Sequence, residues 1–161
     1  MSSLSGLISQ TLTPERLVME HALLISVLHA NIGSEVGANL LQTMVTKYIE
    51  LYKVTDDLDN IDSKMLDNYL QLVSQMYAFN IVGHELLFDI LDNLSNSFKA
   101  KDVELILLVL RSVGFVLRKD NPSRLKTFIV QVQKRSNEIE KSNETTNSLS
   151  RVQVIFSFVI F

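Results

Sequence analysis

The sequence predicts an all-α fold, a stack of antiparallel helix pairs, and three observations carry that expectation. Two Pro and five Gly in 161 residues leave few chain-breakers for the tight turns that sandwiches and barrels need. Apolar residues recur at spacings of three and four through most of the chain. Helix-start signals fall near 14, 34, 63, 84, 102 and 122, and they pair into hairpins beginning near 14, 63 and 102. A content of 47% hydrophobic and 20% charged residues is that of a core-forming chain rather than a disordered one, with room for a single domain.

Each helix has its own signals. Thr13-Pro14-Glu15 predicts a start: a hydroxyl cap, Pro at the first helical position and an acid in the first turn. The following run places Leu17, Leu24 and Leu28 on one face, with Val18, Ile25 and Val27 beside it, and Gly33 stops it. Ser34-Glu35 restarts the chain as a second helix carrying Leu40, Leu41, Met44, Tyr48, Leu51 and Tyr52. Residues 55–62 are an acidic connection, after which Asp62 or Ser63 caps a third helix with Met65, Leu66, Tyr69, Leu70, Val73, Met76 and Tyr77. Gly83 breaks the pattern. A fourth helix, His84 to Phe98, buries Leu87, Phe88, Leu91 and Leu94. Asp102 caps a fifth, apolar almost all round and therefore the most buried, with a β-strand over Glu104–Leu110 as its rival. Asn121-Pro122 opens the sixth, with Leu125, Phe128, Ile129 and Val132 inward.

Two-helix units every 40–50 residues or so match the HEAT/armadillo period, so about three pairs are expected, a compact bundle being the alternative. Residues 1–12 are expected to be a disordered start and 13–135 a partial helical-repeat domain. Residues 136–150 are polar and low in complexity, as in a flexible linker, and 151–161 form an apolar tail, a truncated or aberrant helix. The start has no basic n-region or apolar stretch of a secretory leader, and no window is apolar enough for a membrane span. An intracellular, soluble protein without a membrane partner is expected.

Chemistry is nearly absent from the pattern. Cysteine is missing, which excludes disulfides, Cys-based zinc sites and thiol catalysis. His21 and His29 lie eight apart, too far for a two-ligand pair on one helical turn, and His84-Glu85 is followed by Phe88 where HExxH needs its second His. The acidic run from Asp56 lacks the Gly and the twelfth-position Glu of a calcium loop. Gly33 and Gly37 follow no strand, so they cradle no phosphate. No Ser-His-Asp set or acid–base carboxylate pair stands out. The expectation is a non-enzyme with no catalytic residue, metal, cofactor or small-molecule substrate.

Charge is the one informative surface feature. The net −3 is an average: residues 1–80 carry 4 basic and 9 acidic side chains, residues 81–161 carry 11 and 9. Between 111 and 135 the basic residues are Arg111, Arg118, Lys119, Arg124, Lys126, Lys134 and Arg135, against Asp120 alone. Such a segment attracts anionic partners, RNA included, although the chain as a whole is acidic. Arg118 and Lys119 either meet a partner or complement the negative end of the fifth helix, and the second role is favoured for Lys134 and Arg135 on the sixth.

Three stretches carry a resemblance: MEHALLISVLHANIGSEVGANLL (Met19–Leu41), MYAFNIVGHELLFDIL (Met76–Leu91) and ELILLVLRSVGFVLRKDNP (Glu104–Pro122). With the blocks at 32–38 and 110–120 as its most specific pieces, the chain resembles, over about residues 14–135, the nucleolar relatives of the middle domain of eukaryotic initiation factor 4G. The resemblance implies a HEAT-type stack and a non-enzymatic scaffold in the nucleolus. It implies a DEAD-box RNA helicase of the initiation factor 4A type and pre-ribosomal RNA as partners, in small-subunit ribosomal RNA processing. A related adaptor in splicing or translation initiation is the alternative, as is a truncated product without independent function. The family domain begins with further helices ahead of Thr13. At the other end, Val154–Phe161 does not continue the family helix that Ser150–Gln153 resembles, so a domain incomplete at both ends is expected.

Overall fold

The computed structural model describes residues 12–54 and 61–140. Among these it contains six helices: α1 Glu15–Ile32, α2 Ser34–Val54, α3 Ile61–Ala78, α4 His84–Ser97, α5 Ala100–Asp120 and α6 Pro122–Glu140. They fall into two compact units that divide after Gly83. The expected start at 1–11, the acidic connection at 55–60, and residues 141–161 of the linker and tail lie outside the described residues.

In the first unit α1 and α2 pair as expected, and α3 packs along both. The α1–α2 joint is Gly33 alone, whose φ of 141° and ψ of 160° belong to a region that only glycine enters without strain. The Val36 N–H then donates to the Gly33 carbonyl at 3.3 Å as α2 winds up. Gly37 is buried one turn on, and a methyl there would overlap the His29 ring, so α1 and α2 approach closely because this position lacks a Cβ.

The start of α1 differs from expectation. Pro14, not Thr13, flanks the helix, and the Thr13 hydroxyl is buried with no hydrogen-bond partner. Thr13 is tied down by its backbone instead, its N–H donating to Asn68 Oδ1 of α3 at 2.8 Å. The inward face of α1 also differs: Val18, Ala22 and Ile25 are buried, whereas Leu17, Leu24 and Leu28 are exposed. Apolar residues surround this helix almost completely, so periodicity alone had no polar face against which to orient it. The core of this unit comes mainly from α3, where Leu66, Leu70, Val73 and Met76 are essentially inaccessible. Asn80, in the left-handed region at φ 59°, ends that segment.

In the second unit α4, α5 and α6 all contact one another. The inward residues expected for α4 and α6 are the buried ones: Leu87, Phe88, Leu91, Leu94, and Leu125, Phe128, Ile129, Val132. The strand alternative for 104–110 is excluded, since those residues are helical. Eleven of the 21 residues of α5 are buried, as many as in the shorter α3, so its apolar circumference does not make α5 more buried than every other helix. Each fully buried Leu or Val contributes roughly 1.5–3 kcal/mol of transfer free energy as an upper bound. Asp102 does stabilise the start of α5, but from inside the first turn. The helix begins at Ala100, and the Asp102 carboxylate accepts the Lys99 N–H at 2.8 Å. Phe98 occupies the left-handed region at φ 51° while its ring is buried, so core packing offsets an unfavourable backbone. Helix α6 continues to Glu140, five residues into the stretch read as linker, with Ser136 still buried.

Candidate nucleic-acid interface

Two features of the sequence build this edge of the second unit. The first is the junction at Asn121, which ends one helix and starts the next. Its N–H donates to the Leu117 carbonyl at 2.9 Å, closing α5. Its side-chain Oδ1 accepts the Arg124 N–H at 3.1 Å, capping α6, and Pro122 supplies the first helical position. A junction of one residue sets the last turn of α5 and the first turns of α6 at a fixed offset.

The second feature is helical spacing. Arg111 and Arg118 lie seven apart on α5, hence on the same face, and both are exposed, as is Lys119. Lys126 and Lys134 are exposed on α6, eight residues or about two turns apart. A groove of about 330 Å³ is lined by the buried Leu125 and Ile129 and by the exposed Arg118, Lys126, Val130 and Gln133. Arg118 and Lys119, in the last turn of α5, also complement its negative end. The two roles are compatible, because Lys119 and Arg118 stay solvent-accessible while doing so.

Arg124 is placed elsewhere. Its guanidinium is held by the Asp92 carboxylate of α4 and stands 5.5 Å from the centroid of the Phe88 ring. Arg135, eleven residues on, shares that flank of α6 and is half-buried. Of the seven cations singled out in the sequence, five therefore lie on the outward faces of α5 and α6, and two lie on the side of α6 that meets α4. Sequence reasoning missed Phe115, Val130 and Gln133. The signal for Phe115 was its position, four residues after Arg111 and three before Arg118, but it reads as one more apolar residue of a buried helix.

Elsewhere the chemistry is sparse. Lys47 bonds Glu50 at 2.7 Å, and that hydrogen bond raises its pKa above the ordinary lysine value. Partial burial pushes the neighbouring Tyr69 hydroxyl up as well. Among the described residues no group of three His, Asp or Glu is placed to hold a metal, and no helix is long and apolar enough to cross a membrane.

The described residues form packed helices, and the second unit carries a cationic edge along α5 and α6. The chain belongs to the MIF4G domain family, whose model matches residues 5–154 and whose domain is a HEAT-like helical scaffold rather than a catalytic unit. It is similar to the nucleolar MIF4G domain-containing protein 1 of Mus musculus, 44% identical over 120 residues, which cover 74% of this chain and 14% of the relative. The Drosophila melanogaster homologue is 40% identical over 128 residues, covering 80% and 15%. Suppressor of glycerol defect protein 1 of Schizosaccharomyces pombe is 26% identical over 136 residues, covering 81% and 18%. The chain thus spans under a fifth of the length of each of these relatives.

Proposed function

We propose that this chain is a MIF4G domain of a nucleolar adaptor in small-subunit ribosomal RNA processing, binding RNA and a DEAD-box helicase of the initiation factor 4A type. The observation that carries the reading is the 44% identity to proteins named nucleolar MIF4G domain-containing protein 1. The exposed cations Arg111, Arg118, Lys119, Lys126 and Lys134 support its RNA part, since they present positive charge to solvent along one edge. Contacts of that kind release counterions, so affinity falls steeply with salt.

Titration of the chain with single-stranded RNA at several salt concentrations tests the RNA part. Each Arg or Lys contact replaced by Gln flattens the slope of log affinity against log salt by roughly 0.7. An unchanged slope after substituting Arg111, Arg118 and Lys126 together removes RNA from the reading. The helicase part is tested by co-sedimentation with a purified helicase of the stated type, where two separate peaks refute it. Localisation of the tagged chain decides the cellular part: nucleolar signal supports it, and a cytoplasmic distribution favours the translation-initiation alternative.

A further inference from the structure

We propose that Phe115 is a stacking platform for an unpaired RNA base, with Arg111 and Arg118 holding the backbone on either side of it. The inference rests on the RNA-binding reading above and deepens it from an electrostatic edge to a single-strand site.

Phe115 is 66% exposed, the one large apolar residue of α5 that is mostly in solvent. Among the described residues of the unit, the aromatic and cation–π contacts are those of Phe88. Its spacing from Arg111 and Arg118 puts all three on one exposed stripe, the two arginines about 10 Å apart along the axis. Lys119 lies beside the stripe, the acid on this helix face is Glu104, one heptad before Arg111, and Asp120 lies roughly 140° round the helix from Phe115. A protein partner docks best on clustered apolar residues that exclude water together, whereas the exposed neighbours of Phe115 are cations and the nearby apolar Leu108 and Val116 are only partly exposed. An anion that carries its own flat aromatic surface fits that arrangement. Single-stranded RNA is such a ligand, because each base offers a face to stack and each phosphate a charge for an arginine fork. A duplex fits poorly, since its bases are already stacked on each other.

The test uses the full chain, a fluorescently labelled oligoadenylate and an RNA duplex of equal length. Phe115→Ala weakens oligoadenylate binding about ten-fold and leaves the salt slope unchanged, because no charge is lost. Phe115→Tyr and Phe115→Trp retain affinity, while Phe115→Leu falls with Ala. Helical circular dichroism is unaltered throughout, since the side chain is exposed and Ala favours helix. Affinity unchanged in Phe115→Ala, or retained in Phe115→Leu, overturns the stacking role while salt-dependent binding keeps the broader reading intact. Equal affinity for the duplex overturns the single-strand assignment. Binding of neither RNA overturns both readings together. Self-association of the chain that disappears in Phe115→Ala during sedimentation overturns the proposal in favour of a second copy as occupant.

Discussion

Replacing Gly37 by Ala sets two effects of opposite sign against each other, and the structure decides between them. Inside a helix Ala is favoured over Gly by about 0.5–1 kcal/mol, and Gly37 is three residues into α2 with ordinary helical φ. The added methyl, however, lands on the His29 ring, with Nδ1 as the nearest atom and two ring carbons at 3.1 and 3.2 Å. Three ring atoms cannot all retreat by a small rotation, and overpacking of this kind costs about 1–3 kcal/mol. The Cβ clash wins, for a net loss of about 1–2 kcal/mol. In a His29→Ala background the obstacle is gone and the same change stabilises by about 0.5–1 kcal/mol. The assay is thermal or urea unfolding of the four proteins of the double-mutant cycle; for a chain this size 1 kcal/mol moves Tm by about 2–4 °C. A Tm that rises on Gly37→Ala in the presence of His29, or shifts equally in both backgrounds, refutes the reasoning.

Further outcomes follow from other positions. Ile25→Ala costs about 2–4 kcal/mol in urea unfolding while Leu24→Ala costs under about 1, because Ile25 is 6% and Leu24 56% exposed. Arg124→Gln leaves the salt slope of RNA binding unchanged, unlike Arg118→Gln, and costs about 0.5–1 kcal/mol of stability, since the ion pair with Asp92 is only partly buried. The raised pKa values of Lys47 and Tyr69 mean that the folded chain holds these protons longer than the unfolded one. Stability is therefore full below the ordinary tyrosine value of 10.0 and declines as pH rises through it, and Tyr69→Phe makes Tm less sensitive to pH in that range.

How much could be read from residues alone differed between helices for physical reasons. In α4 and α6 polar residues such as Asp89, Asn93, Lys126 and Gln133 mark the solvent side, so spacing identified Leu87, Phe88, Phe128 and Ile129 as core. In α1 almost every direction is apolar, and only the packing of α2 and α3 selects Val18, Ala22 and Ile25. The stop at Gly33 and the junction at Asn121 were legible, because backbone conformation and side-chain capping there are properties of single residues. Thr13 was not, since its hydroxyl is an obvious cap only until Asn68, 55 residues away in sequence, bonds its backbone. The basic stretch was visible as composition. That Arg124 faces α4 depends on Asp92, 32 residues earlier, which no local pattern announces.

The single-residue joint at Gly33 leaves the first helix pair with no slack. A longer loop absorbs an inserted residue by bulging; here an insertion after Gly33 would rotate everything downstream by about 100° about the axis of α2. Gly37 would swing away from His29 and present a side-chain-bearing neighbour in its place, while Met44 and Tyr48 would leave the core together. Length at this point is as much a part of the fold's specification as residue identity. A one-residue insertion after Gly33 is expected to be more disruptive than any single substitution in the turn.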